Sequence, residues 1–164
     1  YNVKLNEFFD QAIYALDQGY TLLWGSDVSE KGFSHSNGIA IVPETEVEEL
    51  AGSEKAKWAE MSEDERKSQL YEFNKPVPEK TITQELRQEA FDNYLTQDDH
   101  GMHIVGYYKD ADGKIFFKVK NTWGTTNELD GYFYASEAWF KYKTLSIMIH
   151  KDAVMKNLKK KLDL

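Results

Sequence analysis

Among the titratable and nucleophilic side chains of this 164-residue chain there are four histidines and no cysteine. His100 and Asn121 sit at the outer ends of two strand-like runs, His100 to Tyr108 and Lys114 to Asn121. Between them Asp110-Ala111-Asp112-Gly113 is a turn signal, so the stretch reads as a β-hairpin. A hairpin pivoting between Asp110 and Ala111 sets Met102 opposite Val119, Ile104 opposite Phe117 and Gly106 opposite Ile115, an apolar face with the period of a half-buried strand. At the open end of that face His100 meets Asn121, where cross-strand side chains are roughly 5 Å apart. An amide oxygen that accepts from one imidazole nitrogen sets the tautomer and the ring plane. The other nitrogen is then free to take or give a proton near neutral pH. The same two residues could equally be a polar pair closing a hairpin end, and no cysteine is present to act as nucleophile.

A metal reading competes at the same place, because His100-x-x-His103 with Asp98 and Asp99 has ligand types suited to a divalent ion. Strand geometry opposes it: side chains three apart in a strand point to opposite faces. No metal and no cofactor are expected. His35, in a Gly/Ser loop, and His150, at a strand end, read as ordinary polar residues.

The elements that must position the hairpin follow from periodicity. Hydrophobic residues are 41% and aromatic residues 14% of the chain, enough for one packed domain. Asn6 to Gly19 has helical spacing, with Asn6 as N-cap and Gly19 as the stop. Tyr20 to Trp24 and Gly38 to Val42 read as strands with a loop between them, Pro43 ending the second. Ser62-Glu63-Asp64-Glu65 is a capping box opening a helix to about Phe73, and Thr83 to Tyr94 suggests another. Asn74 to Lys80, with two prolines, reads as extended. Gly131 to Ala135 is strand-like, Ser136 begins a helical turn carrying Trp139 and Phe140, Leu145 to His150 alternates as a strand, and Asp152 to Leu164 is helical. The sum is α+β with an antiparallel sheet.

The formal net charge of −8 argues against nucleic acid as a partner. Nine carboxylates between Glu44 and Glu65 carry most of the excess. Their spacing matches no calcium loop, so they read as a solvated acidic face. No apolar run approaches the roughly 20 residues of a membrane-spanning helix. The chain begins at Tyr1 rather than methionine, which suggests cutting or processing and leaves an upstream targeting segment open.

At the hairpin the sequence resembles the papain-like cysteine peptidases, and within them the aminopeptidase C and bleomycin hydrolase group. Asp99-His100-Gly101-Met102-His103-Ile104-Val105-Gly106-Tyr107 resembles the strand of the catalytic histidine. Asn121-Thr122-Trp123-Gly124 is similar to the Asn-Ser-Trp-Gly signature, with Thr in place of Ser. Gly131-Tyr132-Phe133 resembles the Gly-Tyr strand, and Glu137-Ala138-Trp139-Phe140 the Glu-Trp-Phe segment of the aminopeptidase branch. Leu23-Trp24-Gly25-Ser26-Asp27-Val28 is similar to that branch's Trp-Phe-Gly-Cys-Asp-Val, with Ser26 at a non-catalytic cysteine. The likeness runs from about Tyr1 to Ala153, dense after Asp99 and thin across an acidic insert at 44–80.

The resemblance implies that His100 is the general base paired with a thiolate, Asn121 its orienter, and Trp123 the indole shielding their bond and lining the cleft. The backbone around Asp99 and Gly101 would contact a peptide substrate. In the family the histidine and asparagine follow the nucleophilic cysteine by roughly 130 to 150 residues, whereas His100 has 99 residues before it. The chain therefore reads as the C-terminal, β-barrel side of the papain-like fold. Its partner would be the Cys-bearing N-terminal half of the same protein, and it would be inactive without that half. A non-catalytic peptide-binding or interaction module is the alternative. The branch also implies a homo-oligomer, a chain end that reaches the cleft, and a cytoplasmic setting. Lys156, Lys159, Lys160 and Lys161 before Leu164 read as a solvated helix face.

Overall fold

The computed structural model describes residues 1–45 and 52–164. In chain order the elements are α1 (Leu5–Asp17), β1 (Leu22–Ser26), β2 (Phe33–Ser34), β3 (Ile39–Ala40), α2 (Gly52–Ala59), α3 (Glu63–Leu70), α4 (Gln84–Asp92), β4 (His100–Lys109), β5 (Ile115–Lys120), β6 (Tyr132–Ser136), α5 (Glu137–Lys143), β7 (Thr144–Met148) and α6 (Lys156–Leu162). The strands make one sheet in the order β2-β3-β6-β5-β4-β1-β7, a curled half-barrel. Among the described residues only the β3–β6 pair is parallel. This is the mixed α+β architecture that the periodicity predicts.

Against one face of the sheet lie α1 and α5. Phe9, Ala12 and Ala15 of α1 and Trp139 and Phe140 of α5 pack with Leu22 and Trp24, Met102 and Ile104, Phe117 and Val119, and Phe133 and Ala135. These strand residues alternate along the central strands, as period-2 burial requires. Phe140 stacks on Phe117 at a centroid distance of 4.5 Å. The Trp24 indole is buried, and its Nε1–H donates to Thr144 Oγ1 at 2.8 Å, which satisfies the one polar atom of the ring.

The helix starts differ in detail from the sequence reading. Asn6 is not the cap of α1; the helix opens at Leu5, whose N–H donates to Gln84 Oε1, and Glu7 accepts from Lys4 N–H at 3.2 Å. A side chain from α4, remote in sequence, thus does what a local cap would do. Ser62 and Glu65 do form the expected reciprocal capping box, and Thr83 caps α4. The predicted C-terminal helix is divided: a 3₁₀ turn at Lys151–Ala153 precedes α6. Phe33 and Ser34, read as loop, form β2, too short for a pattern to show.

The described part of the acidic stretch is a solvated face, as its charge predicts, and beneath it lies a second core. Trp58 of α2 and Leu70 of α3 are buried with Ile41 and Val77 in a second small core, while Glu60, Glu63, Asp64 and Glu65 face outward. The part of the stretch at 46–51 lies outside the described residues.

The hairpin register needs correction. Ile104 pairs with Val119, not Phe117, and Ile115 pairs with Lys109, not Gly106. The turn is centred further on, where Asp110 accepts from Gly113 N–H through its carbonyl and from Asp112 and Lys114 N–H through its carboxylate, and Gly113 has φ +83°. A bulge at Val105 then absorbs one residue between the two halves of the ladder. Near His100 the slip is two residues, which returns every side chain to the same face. Met102, Ile104, Val119 and Asn121 therefore keep the sidedness predicted for them.

Candidate active site

His100 opens β4, paired with Ser26 of β1 on one side. Asn121 follows directly on β5, and its N–H donates to Gly131 O at 3.1 Å. Across the open end of the hairpin His100 Nε2 lies 2.7 Å from Asn121 Oδ1. The backbone N–H of Thr122 reaches the same oxygen at 2.8 Å. A backbone N–H can only donate, so the shared atom is the amide oxygen and His100 Nε2 is the protonated nitrogen. Nδ1 is then the nitrogen with a free lone pair. Asn121 is 6% exposed, so its bond to His100 is formed away from bulk water and holds the ring in one plane.

Trp123 lies over this pair, its ring centroid 4.9 Å from that of His100 at 34°. It is half exposed, one face of the indole covering the histidine and part of the ring open to solvent. Its other neighbours are Phe33, at 5.5 Å, and His35, at 5.4 Å. Gly124 has φ +85° and carries the chain out of the signature in a conformation that favours glycine.

Asp99 and Gly101 flank the histidine. Asp99 Oδ1 accepts from Val28 N–H at 3.0 Å, tying the approach to β4 onto the end of β1. Burial and the neighbouring Asp27 carboxylate push the Asp99 carboxyl above its ordinary range, against that hydrogen bond. Gly101 is exposed, and a Cβ added to it would meet nothing within 4 Å. His103 points to the opposite, exposed face, paired with Leu23 and Lys120. His150 stacks on Tyr20 at 5.2 Å and accepts from Asp152 N–H, far in the fold from His100.

Two features escaped the sequence reading. The first is a buried network below the approach to His100. Asp27 accepts from Ser29 N–H, Ser29 Oγ–H and Gln97 N–H. Lys143 Nζ lies 3.9 Å from Asp27 Oδ2 and donates to Glu30 and to Leu95 O. Burial pushes the Asp27 carboxyl up, but these hydrogen bonds and the Lys143 charge outweigh it and hold it below the usual value. Residues 95–99 are thereby clamped to β1 and α5. The second is His35, whose Nδ1 lies 3.4 Å from Asn121 Nδ2. No periodicity marks either one, because both join segments 70 or more residues apart.

The curled half-barrel with its flanking helices is a papain-like fold, and at one end of its hairpin a histidine, an asparagine and a tryptophan lie together. The peptidase C1-like family model matches residues 50–164, and the chain belongs to that family. Aminopeptidase C of Streptococcus thermophilus is 27% identical over 152 residues, 92% of this chain and 28% of the relative. Aminopeptidase C of Lactococcus lactis subsp. cremoris is 28% identical over 152 residues, with the same shares covered. The crystal structure of PepW from Lactobacillus rhamnosis matches with a TM-score of 0.64 at 24% identity, over 99% of this chain and 30% of that one. That likeness concerns the fold. The chain spans under a third of the length of the curated relatives it matches.

Proposed function

We propose that this chain supplies the acid–base half of a cysteine-type aminopeptidase site, with a thiol nucleophile provided by a separate, N-terminal stretch of polypeptide. In this reading residues 1–164 are the His/Asn-bearing C-terminal part, with an acidic insert at 44–80. The observation that carries it is the 2.7 Å contact of His100 Nε2 with an Asn121 oxygen that also accepts from Thr122 N–H. Nδ1 is thereby left as the base. It takes the thiol proton, the thiolate adds to the peptide carbonyl carbon, and the same nitrogen returns the proton to the departing amine. The resulting acyl-thioenzyme is hydrolysed by a water that Nδ1 deprotonates. Trp123 shields the His100–Asn121 bond, and the exposed backbone around Asp99 and Gly101 faces the peptide. Homo-oligomerisation, as the family resemblance implies, belongs to the same proposal.

Reading the gene upstream of the Tyr1 codon tests this directly. An in-frame Gln followed six residues later by Cys-Trp is expected, and the polypeptide containing it should hydrolyse aminoacyl amides until its thiol is alkylated. The absence of cysteine from all 164 residues favours a second reading, a peptide-binding module without catalysis. An upstream sequence with no such cysteine, together with peptide binding and no turnover, would establish that reading instead.

A further inference from the structure

Asn121 is gripped at both ends of its amide. The oxygen receives His100 Nε2–H and Thr122 N–H, and the nitrogen faces His35 Nδ1 at 3.4 Å. Because Asn121 Nδ2 can only donate, His35 Nδ1 must be the acceptor, which puts the His35 proton on Nε2. His35 Nε2 is buried and has no hydrogen-bond partner among the described residues. Burying a donor without a partner is costly, and the opposite tautomer, which would move that proton to Nδ1, is excluded by Asn121.

The loop that carries His35 is itself held to the same site. Asn127, 8% exposed, donates through Nδ2 to His35 O at 3.0 Å and to Tyr132 O at 2.7 Å, and accepts Gly131 N–H at 2.7 Å. Gly131 O in turn accepts Asn121 N–H. Hydrogen bonds thus form a closed circuit through His35, Asn127, Gly131 and Asn121. The His35 ring lies at 69° to the Trp123 indole, in the layer that covers His100.

From this we infer that His35 is a positioning residue of the His100–Asn121 pair: its Nδ1 accepts from Asn121 Nδ2 and holds the amide with its oxygen toward His100. Were the amide to rotate, Nδ2 would face His100 Nε2, which would have to become an acceptor. The His100 proton would then move to Nδ1, the nitrogen that must be free to act as a base. His35 guards against that exchange without touching substrate. The inference rests on His100 as general base, but its test separates the two.

The measurement is the ¹⁵N chemical shift of the imidazole nitrogens in the 164-residue chain at neutral pH. In the unaltered chain His100 is expected as the Nε2–H tautomer and His35 likewise as Nε2–H. In His35→Leu the Nδ1–H population of His100 should rise roughly fivefold, as loss of one ordinary hydrogen bond allows. His35→Asn, whose Oδ1 offers an acceptor near the position of Nδ1, should restore the single tautomer. A His100 already bearing its proton on Nδ1 in the unaltered chain overturns the general-base reading and leaves nothing for His35 to position. A His35 found as the Nδ1–H tautomer overturns the role of His35 alone, and needs no variant that might fold poorly. So does a folded His35→Leu chain in which His100 and the Asn121 side-chain amide keep their shifts.

Discussion

Asn121 occupies a position where one planar group must satisfy three neighbours. His100 Nε2 and Thr122 N–H share its oxygen, while His35 Nδ1 receives its nitrogen. That arrangement puts a single lone pair, on His100 Nδ1, where a proton can be accepted. In the proposed polypeptide, with a thiol-bearing N-terminal stretch joined to this chain, His100→Ala should lower kcat by roughly 10²–10⁴-fold, the usual worth of a positioned acid–base group. Asn121→Ala removes the orienter but keeps the base, so its loss should be smaller, and steady-state kinetics on an aminoacyl amide reads both. A His100→Ala enzyme with unchanged kcat would remove the histidine from the mechanism. The residue types and their order along the chain were legible from sequence at this scale. The His35 contact was not, because a lone histidine in a Gly/Ser loop has no pattern that states what it folds against.

The elements show why the pair survived a wrong register. The hairpin pairs two residues further on than the turn signal suggests, and a slip of two preserves which face each side chain takes, whereas a slip of one would have separated His100 from Asn121. The Val105 bulge changes the count only beyond the site. The turn after Trp123 is more sensitive. Gly131 has φ +82°, and a Cβ there would lie 2.3 Å from Gly124 O. Gly131→Ala therefore combines left-handed strain with a backbone collision, and should cost about 1–3 kcal/mol in urea unfolding. It should also displace the Asn121 N–H resonance, since Gly131 O is its acceptor. A similar clamp holds the entry to β4. Lys143→Met would leave the buried Asp27 without its cation, a loss of about 3–5 kcal/mol for breaking a buried pair from one side. Thermal unfolding of that variant within a degree or two of the parent would show that the Ser29 and Gln97 hydrogen bonds alone hold Asp27.

Across the whole molecule, two shielded carboxyls, the buried Asp27 and the partly buried Glu79, oppose each other as the pH falls. Asp27 is held below its ordinary value, so it contributes stability that is complete above the unfolded carboxylate range, about 3.9, and is lost as pH falls through the folded value. Glu79 accepts from Val42 N–H and Ser136 Oγ–H, yet burial, its largest influence, raises its carboxyl. Its charged form costs stability, and that cost is removed as pH falls from the raised folded value toward about 4.3. Urea midpoints from pH 3 to 7 should therefore decline less steeply on the acid side in Asp27→Asn, and more steeply in Glu79→Gln. Parallel curves for all three proteins would contradict both assignments.

The amino-acid sequence alone determined the α+β class, the faces of the central strands and the capping of α3, and it singled out His100, Asn121 and Trp123 as neighbours, because each is written in local periodicity or in short ordered signatures. Tertiary structure decided the rest: the cap of α1 by Gln84, the second core of Ile41, Trp58, Leu70 and Val77, the Asp27–Lys143 clamp, and the place of His35 behind Asn121. All of these join segments distant in sequence, and their energies come from burial and hydrogen bonds that exist only once the sheet has brought those segments together.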